Sequence, residues 1–250
     1  MGRPRFRPSG YGGQAPPSPF GLRKRQLLGV VPFSALIFDF DGLIIDSETP
    51  LFRIWQEIYV QNGAALTLEM WQHALGTQHG FDPYADLAAR SGVTLSRDEW
   101  VPRIRDEHWR RCEDEPLLPG VADRLAEAAT LDMPAAVASS SSSAWVKPWL
   151  ERHGLASRFA TVCTRDDVKA VKPAPDLFLL ASSRLEVPPR DCLVFEDSPN
   201  GLKAARAAGM WAVAVPNALT RPLDLPSHDL VLGSLAEMTL RDIAARLSPA

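Results

Sequence analysis

From Ser34 onward, short apolar runs alternate with stretches whose apolar residues recur at helical spacing. This alternation is typical of a parallel sheet covered by helices, because each parallel strand must be joined to the next by a crossover connection. It predicts strands over Ala35–Phe40, Ala135–Ser139, Thr161–Thr164, Cys192–Glu196, Trp211–Val215 and, more weakly, near Asp229–Leu232. It predicts the intervening helices over Val121–Leu131, Ala144–His153, Pro175–Leu185 and Gly201–Ala208. The fold class is therefore α/β, with a doubly wound parallel sheet.

Residues 49–116 interrupt this alternation, because they carry aromatic and charged residues at helical spacing and offer no apolar run of the strand type. Helices are predicted over Leu51–Asn62, Leu68–Leu75, Pro83–Ser91 and Arg97–Cys112. We expect an inserted all-helical domain, called the cap below, over the carboxyl ends of the core strands, where open α/β sheets bind ligands. Residues 32–48 and 117–250 would form the core.

Residues 1–31 are rich in Arg, Pro and Gly, and they lead into an apolar run, Leu27–Phe38, that imitates a signal peptide. That run is also the first predicted strand, so cleavage there would destroy the core. We interpret 1–31 as a disordered basic tail. No apolar run reaches the roughly 18 residues that span a bilayer, and no membrane partner is expected.

Charge and cysteine content narrow the class of protein further. The net charge of -3 gives no reason to expect a nucleic-acid partner. The three cysteines show no CxxC spacing, and their odd number fits reduced thiols in a cytoplasmic protein better than a disulfide framework. No long exposed apolar stretch calls for a second subunit, so we expect a monomer.

The first strand ends in two acids, Asp39 and Asp41, followed by Gly42. Residues i and i+2 of a strand share a face, so both carboxylates can point into one crevice. Two carboxylates at such a short distance repel each other unless a cation neutralises them or one of them holds a proton. A solvated turn after the strand is the competing interpretation of this pair taken alone.

Three further polar groups follow other predicted strands. Ser139 and Ser140 begin a serine run at the start of a helix, where hydroxyls and free backbone N–H groups can bind an anion. Lys172 lies in a proline-rich loop before the next helix and could neutralise a phosphate. Glu196 and Asp197 end a strand and could complete an oxygen cage for a hard cation such as Mg²⁺. Each of these groups is weak evidence for a site when taken alone, but all of them lie where the ends of parallel strands converge.

In this order the four motifs resemble those of the haloacid dehalogenase superfamily, in its subfamily with a helical cap. The motifs are the acid pair with Gly42, Ser139 after an apolar strand, Lys172 in a KPAPD loop, and Glu196-Asp197 before Ser198. The resemblance covers about residues 34–250 and is closest to the phosphatase and beta-phosphoglucomutase-like branch. It implies a Rossmann-like core with a mobile helical cap.

The resemblance also implies roles for these residues. Asp39 would attack phosphorus and form an aspartyl phosphate, and Asp41 would serve as general acid and base. Asp39, the backbone carbonyl of Asp41, and Asp197 would hold Mg²⁺, with Glu196 assisting at the metal. Ser139 and the amide of Ser140 would hold the phosphoryl group, whose charge Lys172 would offset. We therefore expect a Mg²⁺-dependent phosphatase of a small phosphorylated metabolite, such as a sugar phosphate.

Three other functions compete with this one. A haloacid dehalogenase would need neither Asp41 nor the Glu196-Asp197 pair. A phosphosugar mutase would need a cap Arg, whereas the corresponding loop reads Leu75-Gly-Thr-Gln-His-Gly80, in which Thr77, Gln78 and His79 suit hydroxyl-bearing substrates. A non-catalytic binding protein would have lost one of the acids or Lys172, and none is lost.

Overall fold

The computed structural model describes residues 31–72, 75 and 80–248. Most of the predicted tail, and the loop residues Thr77, Gln78 and His79, lie outside this part of the chain. Within it, six parallel strands form one sheet in the order β3-β2-β1-β4-β5-β6. The strands are β1 Ala35–Phe38, β2 Ala135–Ala138, β3 Thr161–Cys163, β4 Cys192–Glu196, β5 Trp211–Ala214 and β6 Leu230–Val231. The predicted doubly wound parallel sheet is confirmed.

Helices cover both faces of the sheet. One face packs against α5 (Val121–Thr130), α6 (Ser143–Arg152) and α9 (Leu240–Leu247), and the other against α7 (Asp176–Leu185) and α8 (Pro199–Ala207). Alternate residues of β1 pack into the two layers. Leu36 and Phe38 lie on the face covered by α5, α6 and α9, and Ala35 and Ile37 lie on the face covered by α7 and α8. A strand buried on both faces is apolar at every position, which is why it appears in the sequence as a continuous run.

The predicted cap segment is helical. It contains α1 (Glu48–Gln61), α2 (Leu68–Gln72), α3 (Pro83–Ser91) and α4 (Arg97–Cys112). Their apolar faces share a third cluster, which includes Trp55, Tyr59, Trp71 and Leu87. Leu219, from the loop after β5, belongs to the same cluster, and its carbonyl oxygen accepts a hydrogen bond from Gln72 Nε2 at 3.3 Å.

Some boundaries differ from the predicted ones. β1 ends at Phe38 rather than Phe40, because the chain turns at Gly42, whose φ of +76° is readily adopted only by glycine. Helix α9 was not predicted, although Thr239 and Asp242 form a capping box at its start. None of the helices in the described ranges is both long and apolar enough to cross a membrane.

Candidate active site

The polar residues that follow the strands converge at the carboxyl edge of the sheet, on either side of β1. β1 pairs with β2 on one side and β4 on the other, with Phe38 level with both Val137 and Phe195. The strand order reverses direction at β1, and ligands of doubly wound sheets bind at such a point. The site residues that were predicted from four separate segments are thereby brought to one place.

Lys172 and two of the predicted acids form a buried ion cluster. Lys172 Nζ donates to Asp39 Oδ1 at 2.5 Å and to Glu196 Oε1 at 2.6 Å. Lys172 is 5% exposed, Asp39 7% and Glu196 0%. Because buried charges are stable only when they are paired, the lysine and its two carboxylates hold one another in place.

Glu196 is fully engaged by protein groups. Its second oxygen, Oε2, accepts from both the backbone N–H and the hydroxyl of Ser198 at 3.0 Å. Gly201, at the start of α8, lies against the same carboxylate: a Cβ there would lie 1.8 Å from Glu196 Cδ. The Glu196 carboxylate is therefore oriented toward Lys172 by the first turn of α8.

Asp197 is positioned by Asn217, a residue that no motif in the sequence singles out. Asn217 Nδ2 donates to Asp197 Oδ2 at 2.7 Å and to the carbonyl of Gly42 at 3.1 Å. Its Oδ1 accepts from two backbone N–H groups of the loop after β5. Asn217 thus ties the turn after β1 to the end of β4.

The site carries more buried negative charge than its lysine can neutralise. Burial, followed by repulsion from Glu196, raises the pKa of Asp39 from 3.8 to about 7, although Lys172 opposes the shift. Burial and neighbouring acids also raise the pKa of Asp197, and they raise that of Glu48 to about 8.

These acids fit a hard divalent cation. Oxygen atoms of Asp39, Glu196 and Asp197 lie within 4.8 Å of one another. A donor set made only of oxygen suits Mg²⁺, and a cation here would offset the repulsion that, together with burial, raises the pKa values of Asp39 and Asp197. Since Lys172 and Ser198 already occupy both oxygens of Glu196, Asp39 and Asp197 are the better candidates for direct ligands.

The serine run provides polar groups on the opposite side of Asp39. Ser139 is fully buried, and its hydroxyl donates to Asp41 Oδ2 at 3.3 Å and accepts from the N–H of Ser141 at 2.9 Å. The buried hydroxyl of Ser140 has no hydrogen-bond partner among the described residues. Ser140 lines the cavity and Ser139 lies behind it, so Ser140 is the better placed of the two to bind a ligand.

Asp41 is surrounded by donors. Its Oδ1 accepts from the hydroxyl of Ser47 at 2.6 Å and from the indole N–H of Trp145 at 2.8 Å. Its Oδ2 accepts from the hydroxyl of Ser141 at 2.6 Å. Trp145 was not selected from the sequence, because an aromatic residue in an amphipathic helix is usually part of the core.

A cavity of about 370 Å³ connects these groups. It is lined by Asp39, Asp41, Glu48, Leu51, Leu75, Ser140, Ser141, Arg165, Val171, Lys172, Asp197, Ser198 and Thr220. Leu51 and Leu75 come from the predicted cap and the others from the core. Glu48 reaches the cavity from the first turn of α1.

Comparison with known proteins agrees with this geometry. A family model described as haloacid dehalogenase-like hydrolase matches residues 36–215. The "Putative phosphatase YhcW" of Bacillus subtilis is 44% identical over 206 residues, which cover 82% of this chain and 94% of that protein. The fructose-1-phosphate phosphatase YqaB of Escherichia coli is 34% identical over 196 residues, covering 73% of this chain and 96% of YqaB.

A solved structure shows the same architecture. The structure of CbbY from Rhodobacter sphaeroides in complex with xylulose-(1,5)bisphosphate superposes with a TM-score of 0.67 at 28% identity. The match covers 82% of this chain and 96% of that one.

Proposed function

Because this chain belongs to the haloacid dehalogenase-like hydrolases, we propose that it is a Mg²⁺-dependent phosphatase of a small phosphorylated metabolite that works through an aspartyl phosphate. The observation that carries this proposal is the buried cluster in which Lys172 bridges Asp39 and Glu196 beside Asp197. Such a cluster is costly to bury without a ligand, and a cation together with a phosphoryl group would satisfy its charges.

Asp39 is the proposed nucleophile. It lies directly after β1, and the bond from its backbone N–H to the carbonyl of Phe195 (3.0 Å) fixes the start of its side chain. A carboxylate oxygen of Asp39 attacks phosphorus, the bond to the leaving oxygen breaks, and an aspartyl phosphate forms. Lys172 stays charged, because its two carboxylate partners raise its pKa despite burial, so it offsets the negative charge of the phosphoryl group.

The carboxylates of Asp39 and Asp197 and the backbone carbonyl of Asp41 would hold Mg²⁺. When bound, the cation lets the anionic nucleophile and the anionic phosphoryl group approach each other. Glu196 orients Lys172 and Asn217 orients Asp197, and such outer contacts support metal ligands and their neighbours. Ser140, whose hydroxyl has no partner within residues 31–72, 75 and 80–248, would donate to the phosphoryl group, and Ser139 would support the loop from behind.

Asp41 is the proposed general acid and base. It gives a proton to the leaving alkoxide in the first step and takes one from the attacking water in the second. Inorganic phosphate is then released and Asp39 is regenerated. Asp41 lines both the main cavity and an adjoining cavity of about 330 Å³ between α4 and α6, where a leaving group can lie.

The position of Glu48 in the cavity favours a substrate that carries hydroxyl groups, such as a sugar phosphate or a polyol phosphate. The carboxyl group of Glu48 lines the cavity, where hydroxyl groups of a ligand can hydrogen-bond to it. The names of YqaB and of hexitol phosphatase B of Escherichia coli, which is 31% identical over 219 residues, point to substrates of this kind. We further propose that residues 49–116 act as a cap over this substrate.

The first experiment is phosphate release from a panel of sugar, polyol and nucleoside phosphates, with and without Mg²⁺. Asp39→Asn and Asp41→Asn are compared with Asp123→Asn, which changes an exposed acid in the first turn of α5. Release that requires Mg²⁺ and is lost in the first two variants alone supports the proposal. Conversion of a sugar 1-phosphate to the 6-phosphate would indicate a mutase, and no turnover of any ester would reject the phosphatase.

A further inference from the structure

The hydrogen bonds of Asp41 differ in how firmly each fixes its carboxylate. The hydroxyls of Ser47 and Ser141 can rotate, and each can accept as well as donate. The indole N–H of Trp145 can only donate, in the plane of its ring, so it determines where Asp41 Oδ1 lies. A bond from a neutral donor to a carboxylate is also stronger than one between two neutral groups.

The ring of Trp145 is itself held by the cap. His108 of α4 stacks on it, with ring centroids 4.6 Å apart and planes 21° from parallel. Trp109, also of α4, meets it edge-on at 5.5 Å. Trp149, one turn further along α6, completes the packing at 5.5 Å. Two of the three rings that orient Trp145 thus belong to the cap segment.

His108 reaches a second group that holds Asp41. Its Nε2 lies 2.6 Å from the carbonyl oxygen of Ser47, the residue whose hydroxyl donates to Asp41 Oδ1. Burial lowers the pKa of His108, which favours the neutral ring with Nε2–H donating to that carbonyl. The cap helix therefore contacts both residues that donate to Oδ1 of Asp41.

We propose that Trp145 is a positioning residue for Asp41, and that His108 makes this positioning depend on the cap. Proton transfer to the leaving group would then be efficient only when α4 is seated on α6. This inference rests on the proposed function, since it assigns Asp41 the role of general acid. Neither Trp145 nor His108 needs to touch the reacting atoms.

The test uses leaving groups that differ in their need for a proton. Departure of an alkoxide from an alkyl phosphate requires a general acid, whereas 4-nitrophenolate is stable enough to leave without one. We measure kcat/KM, which includes departure of the leaving group, for the best alkyl phosphate of the panel and for 4-nitrophenyl phosphate. Trp145→Phe keeps an aromatic ring but removes the N–H.

We expect Trp145→Phe to lower kcat/KM for the alkyl phosphate about tenfold or more, which corresponds to the loss of one hydrogen bond to a charged group. For 4-nitrophenyl phosphate, kcat/KM should fall less than about threefold, because its leaving group does not need a proton. The matched control is Trp211→Phe. It also removes an indole N–H that donates to a protein oxygen, the carbonyl of Pro32 at 3.2 Å, but at the start of β5, on the edge of the sheet opposite the site. The control should leave the ratio of the two kcat/KM values unchanged.

His108→Ala gives an independent test that keeps Trp145. It should shift the same ratio in the same direction by about two- to fivefold, because it frees the indole ring and the Ser47 carbonyl. An equal fall for both esters in the Trp145 and His108 variants, or no fall in either, would overturn the inference. Failure of the unmodified protein to hydrolyse either ester with Mg²⁺ would instead reject the proposed function.

Discussion

The titration of Asp39 alone should make Mg²⁺ binding about thirtyfold tighter between pH 5.5 and pH 8. The binding form of Asp39 is its carboxylate, and burial together with Glu196 raises the pKa of this group to about 7 in the metal-free protein. With that pKa, about 3% of Asp39 is ionised at pH 5.5 and about 90% at pH 8, so the apparent affinity rises by the ratio of these fractions.

The stability of the metal-free protein should change in the opposite direction. A carboxyl whose pKa is raised on folding keeps a proton that the unfolded chain has already lost, so its contribution to stability falls as pH rises from about 4 to about 7. For Asp39 alone, the free energy of unfolding in EDTA should be about 2 kcal/mol lower at pH 8 than at pH 5.5. Mg²⁺ should restore most of this loss.

Isothermal titration calorimetry at pH 5.5, 7 and 8, and thermal unfolding with EDTA or MgCl₂, measure the two effects. Asp197→Asn, which removes a proposed ligand, should abolish the Mg²⁺-dependent rise in Tm. Equal dissociation constants at pH 5.5 and pH 8 would refute the reasoning. Carboxylates of ordinary pKa, about 4, are almost fully ionised at both values and would give no such dependence.

Three further substitutions test the supporting contacts. Gly201→Ala should lower kcat at least about tenfold and reduce Tm, because the new Cβ would displace Glu196 from Lys172. Asn217→Ala should weaken Mg²⁺ binding about tenfold in calorimetry, since Asp197 loses the donor that orients it. Glu48→Gln should raise Tm in EDTA more at pH 9 than at pH 6, because burial and Asp41 raise the pKa of Glu48 from 4.5 to about 8, so the stability that this carboxyl contributes is lost progressively between those pH values.

Matched controls separate these effects from general damage. Gly233→Ala adds a methyl group whose nearest neighbour is the end of the Glu237 side chain at 3.2 Å. Asn62→Ala removes a side-chain amide at the end of α1 whose Nδ2 donates to the carbonyl oxygen of Ile58 in the same helix. Both should leave kcat and Mg²⁺ affinity unchanged. Wild-type activity in Gly201→Ala, or equal Mg²⁺ affinity in Asn217→Ala and Asn62→Ala, would contradict the assigned contacts.

The core could be predicted from the sequence because its strands are buried on both faces. Ala35–Phe38 and Cys192–Glu196 are continuous buried runs, and each is followed by polar residues that a core strand would not contain. That pattern, together with the order of the motifs, gave the α/β class and the family. Which of Ser139 and Ser140 lines the cavity depends on how the loop after β2 folds, and the strand pattern does not predict that.

The sequence by itself determined the strands, the helical insertion and the order of the acids, serines and lysine, because these depend on periodicity and on chemistry at strand ends. Only the tertiary structure decided that Asn217 supports Asp197 and that Trp145 and His108 flank Asp41. Asn217 lies 20 positions from Asp197 along the chain. Trp145 and His108 lie 104 and 67 positions from Asp41. No local pattern records such contacts, since they arise when sheet, loops and cap pack against one another.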